Sequence, residues 1–410
     1  MKVLELSAYF HPEQYASSYL WENLSDEYAA ENIERVVCCP SPCRGISDEV
    51  RRAYKGKKKE SMYGGKLLVV RFPLFKENKK TILRAIRYTI STVYMFVWSV
   101  FSKYAKNCDV IYVGSTPPIQ GALGAMVKKV KKIPFCYCLQ DIFPDSLVST
   151  GMAKKNSLLW KIGRCIEQFA YRNADKIIVI SEDFKNNLIA KGVPRDKIVV
   201  VYNWVDEQVV VDVPRKDNAL FDRYNLERDK FYITYNGNIG MSQNMELLID
   251  VAQELENIKD IHFVVVGEGA YKKRLKQIIA NKKISNVTLL PLQPYEDISH
   301  VFSLGDVSLV ISKPGVGSNA VPSKTWSIMS ASRPVLANFD ENELKSIIEK
   351  SNCGIFTKAG DKVAFMDAIL KLYNNRELCL EMGRKGRKFV MENLTREVGT
   401  QKYVDLIKSL

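Results

Sequence analysis

Short apolar runs alternate with amphipathic segments almost from end to end, and this alternation leaves few folds open. In the first half, 2–8, 34–39, 67–72, 110–113, 134–139, 176–180 and 198–201 read as strands, and 17–30, 80–105, 119–130, 156–173 and 182–191 as helices. In the second half, strands are expected at 231–236, 261–266, 287–290, 307–311 and 334–337. Helices are expected near 243–257, 270–281, 295–303, 323–331, 341–350 and 363–374, with two more after them. Strands joined through helices by short connections make crossover units, hence parallel sheets covered on both faces. The length of 410 residues suits two such domains. The polar, proline-bearing stretch 208–229 reads as a linker between a domain at 1–207 and one at 230–390. Residues 391–410 read as a terminal helix that packs back on the first domain.

Ligands of such sheets sit beyond the carboxyl ends of the strands, so residues just after strands carry the chemistry. YNGNIG (235–240) ends a strand before a helix; Gly237 and Gly240 allow close ligand approach, and free amides at a helix start attract phosphate. VVVGEGAYKKRL (264–275) repeats the arrangement, with Gly267, Glu268 and Gly269 at the turn. Glu268 can hold a ribose hydroxyl or cap the helix. In PSK (322–324), Lys324 stands at a helix start, where the dipole disfavours a cation unless an anion comes between. Lys313 ends the preceding strand and points to the same region. In LQDIFPDS (139–146), Asp141 and Asp145 are four apart and share a face if the segment is helical; capping is the alternative role. At the first strand–helix junction, Ser17 and Ser18 can cap the helix, and Tyr15 to Ser17 border an acceptor side.

The formal charge is +14, and it is concentrated: residues 44–87 hold fourteen Lys and Arg against four Asp and Glu. The uncharged, aromatic stretch Tyr88–Ser102 follows at once. It is too short to span a bilayer. A basic apron beside an amphipathic helix points to an anionic membrane face. Helix-turn-helix, zinc-finger and RNA-binding signatures are absent, so no nucleic-acid partner is expected. Nine scattered cysteines give no zinc spacing and fit a reducing cytoplasm. No D-x-D occurs, so neither a metal site nor another cofactor is expected. The opening "VLELSAYF" reads as a strand rather than a signal-peptide core.

Taken in order, these residues resemble glycosyltransferase family 4, retaining enzymes of the GT-B fold. YRNADKIIVISEDFKNNLIAKGVPRDKIVVVYNWVD (171–206) is the most specific stretch. DVIYVGSTPP (109–118) and QDIFPDSLVSTG (140–151) are similar to segments of the subgroup that builds cell-surface polysaccharides. The resemblance implies two Rossmann-like domains facing a cleft. It also implies transfer of a sugar from a nucleotide diphosphate donor, with uridine diphosphate expected, to a lipid-linked glycan. It further implies that Gly237, Asn238 and Gly240 line the diphosphate, with Glu268 and Gly269 by the nucleoside and Ser323 and Lys324 under the phosphates. Asp141 would touch the acceptor or the reacting sugar. Many relatives carry two glutamates where Asn319 and Ser327 stand here, and Asn319 can still bind hydroxyls, more weakly than a carboxylate. A nucleotide-sugar epimerase of the same fold and a catalytically silent scaffold are the rival readings.

Overall fold

The computed structural model describes residues 1–13, 18–77, 80–149, 153–317 and 321–410. The chain forms two compact units, Met1–Tyr202 with Gly399–Leu410, and Asn203–Val398.

The strands of the first unit are β1 (Lys2–Leu6), β2 (Glu34–Pro40), β3 (Lys59–Met62), β4 (Leu67–Phe72), β5 (Val110–Gly114), β6 (Phe135–Leu139), β7 (Lys176–Val179) and β8 (Ile198–Val200). They make one sheet in the order β3-β4-β2-β1-β5-β6-β7-β8, parallel except for the antiparallel edge pair β3–β4. β6 is buried along its whole length, as helices on both faces of a parallel sheet require. Cys136 and Cys138 of this strand are buried free thiols. Helix starts follow side-chain capping: Ser157 accepts from the Trp160 amide, and Ser181 from the Phe184 amide with Glu182 and Asp183 in the first turn. The last twelve residues complete this unit. Tyr403 is fully buried there, and its hydroxyl lies 3.2 Å from Cys138 Sγ.

The second unit has six parallel strands: β9 (Phe231–Asn236), β10 (Ile261–Val266), β11 (Val287–Leu290), β12 (Val307–Ile311), β13 (Val335–Phe339) and β14 (Gly354–Lys358). Their order is β11-β10-β9-β12-β13-β14, so the direction of winding reverses between β9 and β12. A ligand crevice belongs at that reversal.

The segment 208–229 is not a free linker. Val211 and Val213 amides donate to Ser299 and Ser303 hydroxyls at 3.0 Å each, and Arg215 pairs with Asp306 at 2.6 Å. Its helix Ala219–Arg223 buries Leu220 and Phe221. The backbone of Val211 and Val213 and the side chain of Arg215 fasten the segment to the rest of the second unit. β3 and β14 were not expected; both are short edge strands.

The helix Thr81–Phe101 is inverted. Ile82, Ile86, Ile90, Val93, Val97 and Phe101 form one stripe, each 45–78 % exposed, while Arg87, Ser91, Met95 and Ser99 on the opposite side are buried. Among the described residues no helix is long and apolar enough to cross a membrane.

Candidate functional site

The site of the second unit starts from two glycines. Gly237 follows β9 with φ +129° and Gly267 follows β10 with φ +152°, backbone that side-chain-bearing residues rarely adopt. A Cβ on Gly267 would lie 1.9 Å from the Gly237 carbonyl oxygen, and one on Gly269 would lie 2.2 Å from that of Ile239. The two loops are therefore laid backbone on backbone. The Gly237 amide donates to Val266 O at 2.9 Å and the Ile239 amide to Glu268 O at 2.8 Å.

Lys324 opens the helix Lys324–Ser330, and its chain extends to the β9 loop. Its Nζ lies 3.2 Å from the place of a Gly237 Cβ and 3.9 Å from the centroid of the Tyr235 ring. Among the described residues no carboxylate pairs with it. Although the residue keeps some exposed surface, burial of the ammonium pushes its pKa down to about 7. A pocket of about 130 Å³ adjoins it, lined by Gln243, Ser312, Gly317, Lys324 and Phe339 among others. The buried Ser312 hydroxyl finds no partner among the described residues. Asp340 shapes the far side, accepting from the Gly315 and Gly317 amides at 2.9 and 2.8 Å.

The other expected donor residues are placed unequally. Asn238 is exposed at the loop, its carbonyl accepting from Tyr235 Oη at 2.7 Å. The Gly240 amide is not free for a phosphate: it donates to Gln243 Oε1 at 3.0 Å. Glu268 pairs with Lys272 at 2.5 Å but stays more than half exposed. Lys272 also donates to Gly267 O at 2.8 Å and to Leu290 O at 3.3 Å, fastening the ends of β10 and β11. Lys313 turns its ammonium toward the Tyr271 ring, 5.8 Å from the centroid, rather than to Tyr235. Ser323 is exposed with no capping bond, and Ser327, half-buried, follows one turn into the helix. Asn319, Tyr15 and Ser17 lie outside the described residues.

In the first unit Asp141 follows β6. Burial raises its carboxyl above the ordinary range although Ser146 hydrogen-bonds to it, and one edge of the side chain stays exposed. Asp145 does not share a helical face with it, because the helix begins only at Asp145 and Asp141 lies outside it. Its carboxylate pairs with Lys191 at 2.7 Å and accepts from Asn187 Nδ2 at 3.1 Å. Sequence reasoning missed Gln243, Ser312, Asp340 and Lys272. The sequence signal for the Asp340 loop is Gly315, a glycine shortly after a strand, and the structure gives it a positive φ.

Comparison with known proteins gives the same division. The model of Glycosyltransferase Family 4 matches residues 18–209, and that of Glycosyl transferases group 1 matches residues 216–389. The probable glycosyltransferase WbjE of Pseudomonas aeruginosa is 25% identical over 342 residues, 83% of this chain and 84% of its own. The putative colanic acid biosynthesis glycosyl transferase WcaI of Escherichia coli K12 is 26% identical over 337 residues, 80% and 81% of the two chains. Anabaena HepE, solved in complex with UDP, shares the fold with a TM-score of 0.74 at 16% identity over the whole of both chains. With the two models taking in nearly all of its length, the chain belongs to glycosyltransferase family 4 and has the GT-B fold.

Proposed function

We propose that this glycosyltransferase moves a sugar, with retention, from a uridine diphosphate donor to a lipid-linked glycan in the building of a surface polysaccharide such as an O-antigen or capsule. The observation that carries the reading is Lys324. A cation with no carboxylate partner among the described residues, packed against Gly237 beside a small pocket, suits the diphosphate that leaves as the sugar departs. Negative charge grows on that leaving group in the transition state, and a preorganised cation there lowers the barrier. Gly237 and Gly267 let the loops come near the phosphates, Ser312 can donate to one, and the exposed edge of Glu268 suits ribose hydroxyls. A donor phosphate oxygen takes the acceptor proton, so the reading needs neither a protein base nor a resident metal ion. The UDP named with HepE and the colanic acid named with WcaI support the donor and the pathway class.

The acceptor's lipid brings in the membrane. The apolar stripe of Thr81–Phe101 lies beside the basic apron: Lys59 of β3 hydrogen-bonds Tyr104, just past the helix end. Apolar side chains enter the headgroup boundary while Lys and Arg meet anionic lipid. The enzyme would thus work at the inner face of the cell membrane.

The experiment is a thermal-shift panel of nucleotides and nucleotide sugars, since a ligand of the folded state raises Tm by mass action. A shift with UDP and a larger one with a particular UDP-sugar is expected. Turnover of a nucleotide sugar without acceptor would mark an epimerase instead, and no shift with any nucleotide would mark a scaffold.

A further inference from the structure

A hollow of about 480 Å³ lies along the helix Leu158–Asn173 of the first unit. Its walls come from that helix and from the turn 191–197, between the helix Glu182–Ala190 and β8. None of them follows the carboxyl end of a strand, so the hollow is apart from the places where donor and acceptor are expected. Four of its lining residues are cations, Arg164, Arg172, Lys191 and Lys197, and none is acidic. Two carboxylates stand behind them. The buried Glu167 pairs with Arg164 and, at 2.7 Å, with Lys191, and it accepts from Tyr171 Oη at 2.9 Å. Asp145 also holds Lys191, at 2.7 Å. Two carboxylates against four cations leave this wall with a surplus of two positive charges.

The four cations are not used alike. Lys197 closes a helix end: its Nζ donates to the carbonyls of Arg172 at 3.3 Å and Ala174 at 2.9 Å. Lys191 is fixed in the wall, its side chain only 13 % exposed between its two carboxylates. Arg172 has no such commitment. It is exposed in the last turn of the helix, and among the described residues its guanidinium has no hydrogen-bond or ion-pair partner. A free guanidinium can meet a phosphate with two parallel N–H donors, and a fixed ammonium beside it adds a point charge. The exposed Gln168 amide, also in the lining, can bond a hydroxyl. The volume falls within the roughly 300–1,000 Å³ of small-molecule sites, more than a bare ion needs.

We infer that this hollow binds a soluble small molecule carrying a phosphate ester, with Arg172 and Lys191 on the phosphate. The occupant shares Lys191 with Asp145, the first residue of the helix Asp145–Ser149. The coupling is reciprocal. An anion in the hollow weakens the hold of Lys191 on Asp145, and loss of the Asp145 carboxylate leaves more of the lysine's charge to the anion.

The test is calorimetric titration of the full chain with inorganic phosphate and with glucose 6-phosphate, UDP being present to occupy the donor site. Glucose 6-phosphate should bind, and more tightly than inorganic phosphate. Arg172→Gln should weaken it about tenfold, the loss of one charge-assisted contact. Arg195→Gln removes the same charge from the same turn but outside the lining residues, and should cost less than about twofold. Both arginines are exposed, so folding is not at stake. Asp145→Asn, measured below its own melting temperature, should tighten binding about threefold. Equal losses in the two arginine variants would mean a diffuse basic surface and overturn the site. Unchanged affinity in Asp145→Asn would overturn the coupling. If neither soluble probe binds, the inference fails, and a loss of phosphatidylglycerol-vesicle binding in Arg172→Gln alone would then give the anion to a lipid headgroup.

Discussion

The ammonium of Lys324 sits 3.9 Å over the ring of Tyr235, so an aromatic face takes the position where a folded protein more often places a carboxylate. The ring attracts a cation without neutralising it. The charge stays available to an anion, at the cost of burying it.

Lys324→Met should weaken UDP binding by about 10- to 100-fold, the range of a lost charge-assisted hydrogen bond. The pH dependence has a definite sign. With its pKa pushed down to about 7 by burial, Lys324 is largely neutral at pH 8, and a bound diphosphate would draw a proton back onto it. UDP affinity of the wild type should fall as pH rises above 7, and titrations in buffers of different ionisation enthalpy should show proton uptake that the Met variant lacks. Stability has the opposite trend. The unfolded chain holds this proton up to about pH 10.4, so between 7 and that value the unfolded state binds more protons and the wild type gains stability relative to Lys324→Met as pH rises. A pH-independent UDP affinity would remove the lysine from the diphosphate.

Gly267→Ala should destabilise the second unit by roughly 1–3 kcal/mol, because the added carbon meets a backbone carbonyl rather than a flexible side chain. Denaturant melts followed in parallel with UDP titration check this. Gly192→Ala is the comparison: it also has a positive φ, but its new carbon meets nothing within 4 Å, so only conformational strain is felt.

Asp141→Asn and Asp145→Asn should separate. Asp145 holds Lys191, so its amide variant should lower Tm and leave the acceptor KM unchanged. Burial raises the Asp141 carboxyl and, among the described residues, no cation pairs with it, so its amide variant should fold normally and lower kcat at neutral pH. Toward acid, where the wild-type carboxyl is itself protonated, the two rates should converge. Equal rates at neutral pH would place Asp141 outside the chemistry.

Replacing Ile90, Val93 and Val97 with Ser should change stability little, since exposed positions shift it by no more than about 0.5 kcal/mol each. Binding to phosphatidylglycerol vesicles should drop at least tenfold. Removing charge at Lys57, Lys58 and Lys59 should weaken vesicle binding at low salt and matter less at high salt. Two of these lysines already have partners, Lys57 with Glu60 and Lys59 with Tyr104, so the loss should be smaller than for the apolar stripe.

Legibility followed burial. β9, β10 and β12 occupy the residue ranges expected from apolar runs, because a strand covered on both faces or nearly so must be apolar almost throughout. β3, with its alternating exposure and charged Lys59 and Glu60, belongs to the sheet edge, where charge protects against stray pairing and hides the strand signal. β14 begins at Gly354, which is glycine because a Cβ would strike the Val335 carbonyl, and glycine reads as a turn. In the site, glycines and Lys324 were legible from their places after strands. Ser312 and Asp340 were not, since ordinary polar residues gain a role only when distant strand ends meet. The commitments of Asp145 to Lys191 and of Gly240 to Gln243 are likewise three-dimensional facts.

The last twelve residues finish a unit that the first two hundred began. Tyr403, Val404 and Ile407 are buried in it, and Lys408 reaches Glu31. On the ribosome the first unit therefore emerges with an open flank and waits for the whole second unit to be made before it can close. The second unit, continuous in sequence from Asn203 to Val398, needs no such return and can be folded before the first is finished, reversing the order in which the two are translated.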